Sequence, residues 1–142
     1  MMTYQEWFDS HSAKHKAIVT KLHERQMNKE QIINYFDFDT MKLHERDFCL
    51  LYAEDKKCHD VEKLNCYLCA CSHFRFNDTS TTKVEEKIEY SFCAINAKEG
   101  KKFISQNAIH QDCTACLVPH SKEFIKKNFD LDWKKIMKKC AL

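Results

Sequence analysis

The 142-residue sequence holds one glycine, Gly100, and one proline, Pro119. That is far below the usual few per cent of each. With so little glycine the chain has to turn on Asn, Asp, Ser and Lys, which points to helices joined by modest loops. A phosphate-binding glycine loop is excluded. Neither Cys group has the glycine that often follows a Cys pair in zinc ribbons and knuckles, where the backbone takes a positive φ. No stretch approaches the roughly 18 to 20 apolar residues of a membrane span. Met1-Met2-Thr3-Tyr4-Gln5-Glu6 has neither a basic start nor an apolar run, so no signal peptide is expected. The expected localisation is cytoplasmic, with reduced thiols and no membrane partner. The formal net charge is only +2. Residues 117–142 carry seven Lys against three acids, which reads as a solvated helix face before it reads as a nucleic-acid footprint.

Cysteine is what the chain has in excess. Eight of its nine cysteines fall between Cys49 and Cys116, and five form two tight groups. The first is Cys66-Tyr67-Leu68-Cys69-Ala70-Cys71; the second is Cys113-Thr114-Ala115-Cys116, with His120 four residues on. Thiolates this close repel one another unless a metal ion or an iron–sulfur cluster binds them. A Cys-x-x-Cys loop brings two sulfurs to one metal with little strain. Five sulfurs are one more than a single four-coordinate zinc can use, so the pattern points to a multinuclear centre or a pair of sites.

Around these groups stand single ligand candidates, Cys58, His59 and Cys93, while Cys49 reads equally well as a core residue. Cys140 lies apart from the rest. His11 and His15 share a helical face at i, i+4, but no third ligand is near, and a solvated face is the expectation. A thioredoxin-like redox pair lacks its βαβ context here, and no haem-attachment motif occurs, since Ala70 and Leu117 follow the two pairs.

Thr3 with Glu6 and Asn28 with Gln31 read as capping boxes that open two helices. A break is expected over Asp37–Thr40, then a third helical stretch over residues 41–54 with Leu43, Phe48, Leu51 and Tyr52 inward. Residues 55–83 read as a cysteine-rich loop. Ile88, Tyr90 and Phe92 alternate with polar residues as one half-buried strand, Phe103 and Ile104 suggest a second, and Gly100 sits in the turn between them. Ser121 and Asp130 are expected to cap two final helices. The fold class expected is α+β and mostly helical: a small cysteine-rich metal-binding core with a short hairpin, flanked by N- and C-terminal helices. Its parts are a helical extension over 1–40, the cysteine-rich domain over 41–130 and a basic helix over 131–142.

Leu64-Asn65-Cys66-Tyr67-Leu68-Cys69-Ala70-Cys71 resembles the Asn-Cys-x-x-Cys-x-Cys core of the cysteine-rich small domain family. Cys93, Phe103 and Ile109–His120, ending in Asp112-Cys113-x-x-Cys116-x-x-Pro119-His120, resemble that family's later block. Cys58-His59 resembles its earlier Cys-His pair. The resemblance covers roughly residues 41–130 and implies a metal-binding domain of prokaryotes, some members being associated with cobalamin-related genes. The chain departs from the family where Ala53 stands at a common cysteine position and where Ala94-Ile95 replaces a Gly-Gly pair.

The expected ligands are therefore Cys58, His59, Cys66, Cys69, Cys71, Cys93, Cys113, Cys116 and His120. Many sulfurs and few histidines favour a 4Fe–4S iron–sulfur cluster, with zinc as the alternative. The function expected is metal binding at one or two centres, with a redox or small-molecule metabolic role and a redox or protein partner. The alternatives are a zinc-stabilised module for RNA or a protein, and a metalloenzyme whose pocket draws on Phe74, Phe76, Tyr90 or Phe92.

Overall fold

Helix α1 (Tyr4–Glu24) starts where Thr3 predicts, its Oγ1 accepting from the Glu6 amide at 3.1 Å. The Asp78 carboxylate closes the remaining first-turn donors, accepting from the Tyr4 and Gln5 amides at 2.8 and 2.9 Å. Phe8, His11, His15, Ile18, Val19 and Leu22 form the buried face. Helix α2 (Lys29–Tyr35) carries the full Asn28–Gln31 capping box. This computed structural model describes residues 2–59 and 61–142.

The third helical stretch is shorter and earlier than expected. Asp37 is the N-cap of α3 (Phe38–His44), so the expected break opens a helix. The helix ends at Glu45, whose carboxylate is drawn back to Lys21 and Tyr35. Residues Leu50–Glu54 then form a separate 3-10 turn. A second 3-10 turn, Val118–His120, follows Pro119's fixed φ and leads into α4 (Lys122–Lys127), capped by Ser121. The last helix, α5 (Trp133–Ile136), is capped by Asp132 instead of Asp130, which leaves Leu131 exposed.

Six short strands make two sheets. Strand β1 (Phe74–Phe76) pairs antiparallel with β4 (Ser91–Cys93), Phe74 opposite Cys93. The four-stranded sheet runs β2 (Lys83–Val84), β3 (Lys87–Glu89), β6 (Ala108–Asp112), β5 (Lys101–Ile104), with β3 and β6 parallel. The single strand expected over Ile88–Phe92 is thus two strands in different sheets. Tyr90 is the crossing point: its amide donates to the Ile109 carbonyl at 2.9 Å and its carbonyl accepts from Asn77 at 2.9 Å. Phe103 and Ile104 pair with β6, so Gly100 lies before the hairpin and not in it.

The mostly helical fold with one short hairpin is thereby corrected: the chain is α+β, 38% helical and 16% strand, with two sheets. The strands were hard to see because pairing, not burial, makes them. All four residues of β5 and both of β2 are exposed, so they carry no apolar alternation. Gly100 does not take a positive φ; among the described residues seven non-glycine residues do, Glu85 and Glu86 in the β2–β3 turn among them.

The core lies between α1, α2, α3, α5 and the first Cys loop, around Leu22, Phe36, Met41, Tyr67, Leu68 and Trp133. His11 and His15 are inside it, which overturns the expected solvated face. His11 packs on Phe48, Trp7 and Trp133, with ring centroids 4.7 to 5.0 Å away. His15 packs on Tyr67 and Phe36, and its Nε2–H donates to the Tyr67 carbonyl at 3.1 Å. The aromatic residues at positions 36, 48, 67 and 133 supply the rest of that face, and no pattern within α1 announces them.

Burial holds both imidazoles neutral. It lowers His11 to about 4, with Lys14 adding to the effect, and His15 to about 3, with His11 adding and the Tyr67 carbonyl opposing. The unfolded chain takes up these protons near pH 6.5 and the folded chain only near pH 3 to 4. Stability from this source is therefore complete above pH 6.5 and lost as pH falls towards 4. His11 alone accounts for roughly 3 kcal/mol of that loss. Urea unfolding at pH 7.5 and pH 5 should show the drop, and His11→Phe should reduce it; an equal drop in both proteins would contradict the assignment.

Candidate metal centre

The first Cys loop is fixed by its neighbours before any ligand binds. Asn65 is buried, its amide group donating to the Ile33 carbonyl at 2.7 Å and to Asp37 Oδ1 at 2.9 Å. Its Oδ1 accepts from the Tyr67 amide at 2.9 Å. The Cys66 amide donates to the Phe36 carbonyl at 2.8 Å, and the Tyr67 hydroxyl to the Asp130 carbonyl at 2.6 Å. The loop that carries Cys66 and Cys69 is thus part of the core.

Cys58, His59 and His120 converge, their ligand atoms all within 4.8 Å of one another. His120 Nε2 lies 3.7 Å from the Cys58 sulfur, and His59 Nδ1 lies 3.0 Å from it. The opposite nitrogen of each ring faces a backbone carbonyl: His120 Nδ1–H donates to Asn65 at 2.8 Å, and His59 Nε2–H donates to Cys113 at 3.0 Å. Each imidazole therefore turns a lone pair towards the same sulfur. A second hydrogen bond of this kind fixes the tautomer and ring orientation of metal-binding histidines. Burial lowers the pKa of His120, the Asn65 carbonyl opposing and His59 adding to it, which keeps the lone pair free. The group is near enough to hold a metal ion.

The remaining sulfurs fall into two sets. Burial pushes the Cys66 thiol up to about 12, with charge at Cys58 and Cys49 adding to it. Burial also raises Cys69, followed by charge at Cys66, Cys58 and Cys49. Cys49, Cys58, Cys66 and Cys69 thus feel one another, beside the buried Tyr52 hydroxyl, which faces the Cys66 sulfur and opposes part of the rise in its pKa. In the other set, burial pushes Cys113 up to about 11, and charge at Cys71, Cys116 and Cys93 adds to it. Cys71 is raised by burial first, with Cys93 and Cys116 contributing. These four sulfur residues line one small cavity of about 30 Å³.

The β1–β4 register builds this second set. Phe74 opposite Cys93 brings the preceding Cys71 loop to the end of β4. Strand β6 ends at Asp112, whose carboxylate accepts from the Thr114 amide at 3.0 Å and its hydroxyl at 2.7 Å, shaping the Cys113-x-x-Cys116 turn. Backbone amides already point at two of the sulfurs, His73 to Cys71 and Ala97 to Cys93, each at 3.4 Å. Such donors favour the thiolate. Thiols raised this far have to release protons to a metal, so affinity for a metal rises with pH.

All nine expected ligands thus lie in one of two neighbourhoods, and Cys69 and Cys71, two residues apart, belong to different ones. Cys49 joins the first and stood outside the expected set; beside Phe48 and Leu50 it reads as core. Cys140 lies beside the second set, donating to the Cys71 carbonyl at 3.5 Å; burial raises its thiol, with Arg75 opposing and charge at Cys71 adding to it. The described residues contain no disulfide.

Ala70 makes the division. It holds φ 93°, and Cys71 φ 65°, in the left-handed region that disfavours a Cβ. The reversal turns Cys71 from the side of Cys69 towards Cys93 and Cys116. Such a conformation costs roughly 1 to 2 kcal/mol for a non-glycine residue. Ala70→Gly removes that strain and adds some unfolded-state entropy, for a net gain of about 0.5 to 1 kcal/mol. The urea midpoint should rise with metal content unchanged; a lower midpoint would show that the backbone is unstrained.

Compared with known protein families, curated proteins and solved structures, the chain matches none significantly.

Proposed function

We propose that this protein is a metalloprotein with two separate mononuclear centres, both suited to zinc. The observation that carries the reading is the convergence of Cys58, His59 and His120, with both imidazoles held by backbone carbonyls so that their lone pairs meet one thiol. Nitrogen and sulfur donors in this mixture suit zinc. Cys49, Cys66 and Cys69 lie near Cys58, and one of their sulfurs would supply the fourth ligand. The second centre of the proposal would use Cys71, Cys93, Cys113 and Cys116, four thiols that border one small cavity and would have to draw together on a structural ion.

The size of the second cavity supports a single ion. A water needs roughly 10 to 15 Å³ measured in this way, so about 30 Å³ admits one or two bodies of that size. A four-iron cube, the centre that cysteine count alone favours, is larger than that space and would have to extend into the large cavity that Cys71, Cys113 and Cys116 also border. The motif resemblance to the cysteine-rich small domain family agrees with metal binding, as does the presence of nine unpaired thiols, which suits a reducing compartment such as the cytoplasm. No described helix is long and apolar enough to cross a membrane.

A second reading, metal chemistry on a small molecule, rests on one observation: Cys58, His59 and His120 also line a large cavity. A metal there would act as a Lewis acid on a bound group.

Anaerobic purification with metal analysis tests the proposal. The expected product is colourless and holds two zinc ions per chain. After dialysis against a chelator, Cys58→Ser and Cys113→Ser should each retain one. Iron with stoichiometric sulfide and broad visible absorption would end the zinc reading. Loss of all metal from either variant would mean one shared centre.

A further inference from the structure

An open-mouthed cavity of about 770 Å³ lies between the first turn of α1, strand β1 and the Cys58–His59–His120 group. That volume is of the size that takes a drug-sized molecule. Its wall is aromatic: Tyr4, Trp7, Phe8, Phe74, Phe76 and Tyr90. Of the residues expected for such a pocket, Phe74, Phe76 and Tyr90 are present and Phe92 is not among them. The rings are held by one another, Tyr4 lying 5.6 Å from Phe74 and 5.4 Å from Phe76 between centroids.

One corner is polar, and its protons can be placed. Ser91 is fully buried, and its oxygen accepts from the Gln111 amide at 2.7 Å. The Ser91 hydroxyl has one remaining neighbour, the Tyr4 hydroxyl at 3.1 Å, and donates to it. Tyr4 then donates its own proton to His110 Nδ1 at 2.6 Å. Burial raises the pKa of Tyr4, so it remains a donor. With Nδ1 accepting, the neutral His110 ring carries its hydrogen on Nε2. The ring is stacked on Tyr90 at 5.2 Å, and Nε2–H is the free end of the chain.

Away from the thiols and imidazoles of the proposed metal centres, formal charge is almost absent from the lining. Asp78 is its one carboxylate, and both oxygens are engaged by the Tyr4 and Gln5 amides of α1. No Lys or Arg contributes among the described lining residues. The aromatic end of the cavity, around Tyr4, Phe74, Phe76 and His110, therefore offers apolar stacking, one oriented donor and no free counter-charge.

We propose that this cavity binds a neutral, planar aromatic molecule that seats its ring on the Tyr4–Phe74–Phe76 wall and accepts a hydrogen bond from His110 Nε2. None of these residues is a ligand of the proposed metal centres, so the inference stands apart from the identity of the metal.

The test uses the full-length, metal-loaded protein and two isosteric probes, quinoline, which carries an acceptor, and naphthalene, which does not. Followed by NMR, quinoline should saturate at one equivalent with shifts at Tyr4, Trp7 and His110. Naphthalene should bind the same residues about fivefold to tenfold more weakly, the worth of one hydrogen bond. His110→Phe should bind both alike. Trp7→Leu, at the partly exposed rim, should weaken both together and serves if the His110 variant does not fold. Absence of binding up to the solubility limit, or shifts elsewhere, would overturn the proposal. A quinoline preference that survives in His110→Phe would assign the nitrogen to the metal and overturn it too. Tighter binding of naphthalene-2-sulfonate than of quinoline would refute the neutral ligand.

Discussion

The buried strap Leu64–Tyr67 is the constraint on which the rest depends. Its backbone and the Asn65 side chain take hydrogen bonds from, or give them to, six other groups of the chain. The carbonyls of Ile33 and Phe36, the Asp37 carboxylate, the amide of Phe38, His15 of α1, and His120 all close on it. A buried polar group left without a partner costs about 1 to 3 kcal/mol, so a polar strap is tolerated here only because it is satisfied throughout. One consequence is geometric. Asn65, held in the core by its side-chain amide on the Ile33 carbonyl, orients His120 through its own backbone carbonyl, so core packing and the orientation of His120 are a single arrangement. A small shift of the strap would move Cys66, Cys69 and His120 together.

Sulfur electrostatics then explain why the ligands are divided. Burial alone raises Cys66, Cys69, Cys71 and Cys113, and each neighbouring thiolate raises them further. Eight mutually repelling thiolates in one place would need a highly charged centre. Two sets of four would distribute that repulsion over two cations, as proposed above. The division falls inside a single short motif because Ala70 and Cys71 reverse the backbone between adjacent ligands. In most chains glycine would occupy such a turn; here the strain stays where the ligands need it.

How much of this could be read from the sequence depended on whether the cause was local. The capping signals of α1 and α2 are local and placed both helix starts correctly. Likewise the two Cys groups announce their chemistry by spacing. The partition of Cys69 from Cys71 does not, because it depends on the register of Phe74 with Cys93 across the chain. Cys49 looks like any buried cysteine until Cys58, Cys66 and Cys69 are placed beside it. The burial of His11 and His15 is likewise a property of Phe36, Phe48, Tyr67 and Trp133, all distant in sequence.

The weak sheets favour a structural role for the proposed second centre. Between Asn77 and Ala115, Ile109 is the one buried hydrophobic residue among those described, and β2 and β5 lie wholly exposed. A segment of that length cannot recover its ordering entropy from so little apolar burial. Backbone pairing adds to it, yet two-stranded and short-stranded sheets are marginal in water without a packed face. What ties this segment to the rest is therefore polar and ionic. Tyr4 reaches Ser91 and His110, Asp78 holds the start of α1, and Cys93 and Cys113 face Cys71 and Cys116. A metal at these four sulfurs, as proposed, would supply the folding energy that a core supplies elsewhere. Because the β-segment also presents Tyr90 and His110 to the large cavity, the same metal would hold the polar wall of that cavity in place.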